Sequence, residues 1–193
     1  TVGDGPDVVL WHSYRCDSGM WREQVRAFSP LYRMTLIDGP GHGRSAPARR
    51  AYSMEDCVDA ARTVIDAVDA RAPVFCGLSW GGMVGMRLAL REDSALKGLA
   101  LMGTSARGER AFKRPAYKAL AAVARTIGPA RPLARILERI FFADDTRRDH
   151  PEIVRTFTDR LVGMDRKSVG FGADAIIFDR EDVSARLSEI RVP

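Results

Sequence analysis

The chain opens with two short apolar runs, "DVVLWH" at 7–12 and "YRMTLID" at 32–38. Both are rich in β-branched and aromatic side chains and both stop at turn-forming residues, which predicts two strands. Between them Trp21, Val25 and Phe28 recur at i, i+4 and i+7, giving the stretch after Ser18 one apolar helical face. A stronger helical signal starts at Ser53. Its hydroxyl can cap a helix, Asp56 stands three residues on, and Cys57, Val58, Ala61, Val64, Ile65 and Val68 follow as one stripe. "PVFC" at 73–76 predicts a third strand, 82–90 a helix apolar nearly all round, and "LKGLALMG" at 96–103 a fourth strand.

Strands alternating with amphipathic helices imply an α/β fold with a parallel sheet covered on both faces, because parallel neighbours need a crossover and the helix supplies it. Ligands of such sheets bind at the carboxyl ends of the strands, where "HSYR", "DGPGHG", "LSWGG" and "GTSARGE" all fall. After Met102 the alternation stops and helical patterns take over, punctuated by Pro115, Pro129 and Pro132. Leu133, Ile136, Leu137, Ile140 and Phe141 form one stripe with Arg131, Arg135 and Arg139 opposite; Ile153, Val154, Phe157, Leu161 and Met164 form another. We therefore divide the chain into a core over 1–104, a helical lid over 105–188, and a return to the core at 189–193 that is cut short.

With 193 residues, 46% of them hydrophobic, the chain can bury a sizeable core. No run of eighteen apolar residues and no basic leader followed by an apolar segment appears, so the expectation is a cytoplasmic protein without a membrane partner. Cys16, Cys57 and Cys76 are odd in number and unclustered, which suits reduced thiols. His12, His42 and His150 lack metal-ligand spacing, and no metal or organic cofactor is expected. The net charge of +5 is concentrated between residues 107 and 148, which hold eleven Lys and Arg against four Asp and Glu. Those cations accompany a full apolar stripe and no nucleic-acid-binding signature, so they read as a solvated helix face, with no nucleic-acid partner.

The chemistry centres on Gly77-Leu78-Ser79-Trp80-Gly81. Gly-x-Ser-x-Gly alone is a weak signal, but here it lies between a predicted strand and a predicted helix, the setting of a nucleophile elbow. A serine on a strained turn needs neighbours without a Cβ, and the following helix start offers unpaired N–H groups to a developing oxyanion. The competing reading is a glycine turn at a close helix-sheet contact. "GPGHG" at 39–43 does not match a dinucleotide-binding loop, and Pro47 separates it from the next helix.

The segments "DVVLWHSYRCDSGMW", "TLIDGPGHGRS", "CGLSWGGMVGMRLAL" and "LKGLALMGTSARGE" resemble successive landmarks of the α/β-hydrolase superfamily, in order and spacing. Within it the chain most resembles the 3-oxoadipate enol-lactonase group, with His12-Ser13 where that group has Asn-Ser, and with Asp17, Met20 and Trp21 in place. The resemblance implies that Ser79 is the nucleophile and that the backbone N–H groups of Tyr14 and Trp80 form an oxyanion hole. It implies a hydrolase of small-molecule esters or lactones, anionic ones and enol-lactones among them, working through an acyl-enzyme without a cofactor. Ser13 departs from the superfamily's usual glycine. In the family the triad Asp and His follow strands that come after a phrase like "LSEIRVP", and a β-hairpin precedes the first strand; the chain is thus expected to be an internal fragment, inactive by itself. His12 and His42 are expected in loop structure, His150 at a helix start, and Asp38 as a loop-bonding residue. The non-enzymatic alternative is a ligand-binding member or inert fragment of the fold.

Overall fold

The computed structural model describes residues 1–91, 95–109, 112, 114–128 and 130–193. Four strands, β1 (Asp7–Trp11), β2 (Arg33–Ile37), β3 (Val74–Leu78) and β4 (Gly98–Met102), pair in parallel in the order β2-β1-β3-β4. Trp11 is the end of β1 on both sides, opposite Ile37 of β2 and Gly77 of β3. Successive side chains alternate between the two faces. Val9, Trp11, Ile37 and Phe75 pack with α2 (Met54–Ala67) and α3 (Trp80–Ala89), while Leu10, Met34, Leu36 and Cys76 pack with Trp21 and Val25. Trp21 closes a 3-10 turn, Ser18–Trp21, that leads into α1 (Arg22–Phe28).

The local signals act as their chemistry dictates. Ser53 Oγ accepts from Asp56 N–H at 3.1 Å while Asp56 Oδ2 accepts from Ser53 N–H at 2.8 Å, a capping box at the head of α2. Cys57, Val58, Ala61 and Ile65 are its buried stripe. Phe28, the last residue of α1, is 48% exposed with its ring beside Tyr32. The helix expected over 82–90 begins two residues earlier, directly after Ser79.

Beyond β4 come α4 (Arg114–Ile127), α5 (Arg131–Phe141), α6 (Asp144–Asp149), α7 (Pro151–Val162) and α8 (Arg166–Ala173), then a π turn, Asp174–Phe178, and a 3-10 turn, Ser184–Glu189. Pro132 and Pro151 stand in the first turns of α5 and α7, where a missing N–H costs nothing; Pro129 lies outside the described residues. Ala124, Leu133, Ala134, Leu137, Phe157 and Leu161 form an apolar cluster of their own, apart from the sheet. Only part of the expected α5 stripe is buried. Leu133 and Leu137 face inward with Ala134, whereas Ile136 and Ile140 are 52% and 63% exposed, since α4 and α7 cover just one flank of the helix. Arg131, Arg135 and Arg139 are exposed. At the end of the chain Leu99 N–H donates to Pro193 O at 2.8 Å, which lays the last residue against the outer edge of β4. Among the described residues no helix is long and apolar enough to cross a membrane.

Candidate functional site

β1 leads to β2 on one side and β3 leads to β4 on the other, so the loops leaving the adjacent ends of β1 and β3 diverge. This is the switch point at which open α/β sheets form a crevice. One wall of it is 13–16, the other Ser79.

Ser79 has φ 51° and ψ −107°, a backbone conformation that L-residues other than glycine rarely enter. Its surroundings impose it. The Ser79 N–H donates to Met102 O at 2.8 Å, and its carbonyl accepts from Thr104 Oγ1 at 2.7 Å and from Met83 N–H at 3.0 Å. The flanking glycines are steric requirements. A Cβ on Gly77 would stand 2.2 Å from the Gly81 carbonyl carbon, and one on Gly81 would stand 2.2 Å from Trp11 O. Residues 77 and 81 are where β1, β3 and the start of α3 approach too closely for any side chain. Both backbone groups of the serine are thus committed, its side chain is half-buried, and its hydroxyl makes no hydrogen bond among the described residues. The amide of Trp80, the first residue of α3, has no acceptor among them.

The opposite wall is a β-turn in which Cys16 N–H donates to Ser13 O at 3.0 Å. Arg15 occupies its third position at φ 66°, where glycine would be unstrained. Ser13 N–H is directed at Met20 Sδ, 3.4 Å away, while the Tyr14 N–H has no acceptor among the described residues. The Tyr14 ring is buried and its hydroxyl donates to Val169 O of α8 at 2.6 Å; burial pushes its pKa up, so it stays a neutral donor. Cys16 is no rival nucleophile, since burial pushes its thiol up to about 12 and leaves almost no thiolate.

The histidines serve structure. His12 Nδ1–H donates to Ser13 O at 2.7 Å and its Nε2 accepts from Gly39 N–H at 2.9 Å, tying the loop after β1 to the loop after β2. Burial pushes the His12 pKa down and keeps the ring neutral. His42 Nδ1–H donates to Pro40 O at 2.8 Å, and its ring stacks obliquely on Trp80, 4.8 Å between centroids; burial, with His12 second, pushes its pKa down to about 3. His150 is exposed, stands before α7 and lies 3.5 Å from Glu152. None of the three bonds to Ser79. Asp38 is a loop-bonding residue: its carboxylate accepts from Ser18 N–H at 2.6 Å and Arg44 N–H at 3.0 Å. Burial alone would raise its pKa, but those two N–H groups outweigh it and hold the carboxyl below the usual range. Among the described residues no three His, Cys, Asp or Glu side chains converge as a metal ion requires.

A cavity of about 550 Å³ opens between these loops and the helices, lined by Ser13, Arg15, Met20, Leu78, Phe141 and Phe157 among others. Ser79, Tyr14 and Trp80 are not in its lining, but their sequence neighbours Ser13, Arg15 and Leu78 are. A second cavity, of about 400 Å³, lies on the other side of the turn and shares Arg15 and Arg160 with the first. Two residues of the site escaped the sequence reading. Thr104 fixes the Ser79 carbonyl, and its only signal was its position just past β4; Arg15 carried none.

Comparison with known proteins agrees with this architecture. Over 108 residues, 54% of the chain, it is 34% identical to the pimeloyl-[acyl-carrier protein] methyl ester esterase of Nitrosospira multiformis, and spans 41% of that protein's length. Over 190 residues, 98% of the chain, it is 25% identical to 3-oxoadipate enol-lactonase 2 of Acinetobacter baylyi, covering 69% of it. Among solved structures, the enol-lactonase of Burkholderia xenovorans superimposes with a TM-score of 0.89 at 30% identity, covering 99% of the chain and 71% of its own. A malate-bound esterase of Thermogutta terrifontis gives 0.91 at 25% identity, covering 100% and 70%. The model of the α/β hydrolase fold family matches residues 6–159, and the strained serine at the end of β3 stands in that match: the chain belongs to the α/β hydrolase fold family.

Proposed function

We propose that the protein is a serine hydrolase of small carboxylic esters or lactones, with Ser79 as nucleophile and the N–H groups of Trp80 and Tyr14 as the oxyanion hole. The observation that carries this is the serine at φ 51° at the head of α3, both backbone groups bonded and its hydroxyl without a hydrogen bond among the described residues. Ser79 Oγ attacks the carbonyl carbon, the carbonyl oxygen becomes an oxyanion facing the two unpaired amides, and the positive end of the α3 dipole adds to its stabilisation. The alcohol leaves, and water then attacks the acyl-serine and releases the acid. Each oxyanion donor of this kind is worth about 3–4 kcal/mol of barrier.

The proton relay is a separate proposal. A base must reach the serine hydroxyl within hydrogen-bond distance, and His12, His42 and His150 are all engaged or directed elsewhere. We propose that an Asp and a His outside residues 1–193 supply it, and that residues 1–193 alone turn over no ester. The helices of 105–188 act as a lid whose Phe141 and Phe157 give the substrate cavity an apolar wall. The names of the similar proteins, a methyl ester esterase and enol-lactonases, support acyl substrates of this size, an enol-lactone among them. Three free cysteines suit a reducing cytoplasm. Hydrolysis of p-nitrophenyl butyrate and of a γ-lactone by the intact protein, against its Ser79→Ala variant, tests the reading. Serine-dependent turnover is expected, whereas turnover that survives the substitution removes Ser79 from the role, and reversible ligand binding without turnover favours the non-catalytic alternative.

A further inference from the structure

Arg15 is 6% exposed, and among the described residues no carboxylate pairs with it. Its Nε is buried without a hydrogen-bond partner. The guanidinium lies over the Tyr14 ring, 4.8 Å from the centroid, and interacts with the Tyr14 hydroxyl, contacts that partly offset its desolvation but bring it no counter-charge. Its backbone stands at φ 66° in a turn position that glycine would fill without strain. A buried, unpaired cation on a strained backbone is doubly unfavourable, and such strain persists at sites where a ligand completes the arrangement.

The carboxylates around it are already engaged. Asp17 holds Arg160 at 2.6 Å, Glu23 holds Arg22 at 3.3 Å, Asp159 lies 3.8 Å from Arg131, Asp165 accepts from Ser168 N–H at 2.8 Å, and Glu152 lies 3.5 Å from His150. His42, the nearby ring, is kept neutral by burial and supplies no counter-charge. Arg15 lines both cavities and is adjacent in sequence to Tyr14, whose amide faces the reacting serine in the reading above. The Arg15 guanidinium thus borders both cavities without a carboxylate partner among the described residues.

We infer that Arg15 anchors a carboxylate carried by the acyl part of the substrate, so that the protein selects monoanionic esters or lactones over neutral ones. A carboxylate can take two parallel N–H bonds from the planar guanidinium, which fixes the far end of the acyl chain while the ester carbonyl sits at Ser79. The inference rests on the proposed use of this cavity for substrate, but its test does not need turnover.

Affinities of monomethyl adipate and dimethyl adipate are measured by calorimetry on the intact protein carrying Ser79→Ala, which prevents hydrolysis. With Arg15 present, the monoanion is expected to bind about tenfold or more tighter than the diester, the range of a charge-assisted pair. Arg15→Gln brings the two esters within about twofold of each other, and Arg15→Lys keeps part of the preference. Arg15→Gly provides a variant that relieves the turn, so it melts higher while losing the preference in the same way. Equal affinity for the two esters with Arg15 in place, binding of neither, or a preference that survives Arg15→Gln and Arg15→Gly each overturns the anchor. A carboxylate preference that depends on Arg15, together with no Ser79-dependent turnover by the unsubstituted protein, keeps the anchor and removes the hydrolase reading.

Discussion

Replacing Ser79 by glycine should make the fold more stable while removing its reactive group. The serine stands at φ 51° and ψ −107°, held there by Met102 O, Thr104 Oγ1 and Met83 N–H. A residue with a Cβ in such a region carries about 1–3 kcal/mol of strain. Glycine removes that strain but gives the unfolded chain more freedom, a cost of about 0.5–1 kcal/mol. The difference leaves Ser79→Gly more stable by about 1 kcal/mol, which for a chain of 193 residues raises the melting temperature by about 2–4 °C. Ser79→Ala is the comparison that isolates the backbone, because alanine loses the hydroxyl and keeps the Cβ. The hydroxyl makes no hydrogen bond among the described residues, so Ser79→Ala should melt within about 1 °C of the parent, a shift set by the small effect of changes away from packing or bonding features. Thermal melts by circular dichroism and urea midpoints on the three proteins give the answer. If glycine proves no more stable than alanine, the elbow is not strained, and the argument from geometry to nucleophile fails.

Two further outcomes follow from the same geometry. Gly77→Ala would drive a Cβ to 2.2 Å from the Gly81 carbonyl carbon and 2.4 Å from Gly82 N, both backbone atoms that can yield only if the start of α3 moves. A loss of about 3 kcal/mol in urea unfolding is expected, at the upper end for overpacking, and a loss below about 1 kcal/mol would show that the contact is soft. His42, with its pKa pushed from 6.5 to about 3, also makes stability depend on pH. The unfolded ring takes a proton below pH 6.5 and the folded one does not until about 3, so its contribution is complete above 6.5 and falls as pH descends through that window. The slope reaches about 1.4 kcal/mol per pH unit, and His12 adds in the same direction. Urea midpoints at pH 7.5 and pH 5 should differ, and His42→Gln should flatten the difference; an equal slope in that variant would clear His42 of the effect.

Much of the sheet was legible because β1, β2 and β3 pack apolar side chains on both faces, although Leu101 of β4 is 40% exposed. The runs at 7–12, 32–38, 73–76 and 96–103 each fall on a strand of the structure, and the Ser53–Asp56 box starts α2 where its chemistry says it must. The start of α3 was misplaced for a physical reason. Trp80 and Gly81 carry no helical signal in isolation, yet the helix begins there because Gly81, lacking a Cβ, can lie against Trp11 O. The stretch 166–178 carries glycines at 170 and 172 and showed no helical stripe, but it forms α8 and the π turn because Gly172 packs against the Tyr14 ring and Gly170 against Arg125. Tertiary contact, which no local pattern records, makes those choices. The elbow could be read because glycine spacing is local chemistry. Arg15 could not, because the burial of an arginine away from any carboxylate among the described residues is a property of the assembled loops, and the cations that drew notice, Arg131, Arg135 and Arg139, are exposed.

The central claim is that Ser79 is an activated nucleophile, and covalent labelling tests it most directly. The protein expressed from its complete reading frame is treated with a fluorophosphonate and digested, and the peptide spanning residues 72–87 is examined by mass spectrometry. One phosphonyl adduct per chain is expected, on Ser79, absent from Ser79→Ala and prevented by prior incubation with an ester substrate. An unlabelled Ser79, or a label on another residue that persists in Ser79→Ala, would contradict it.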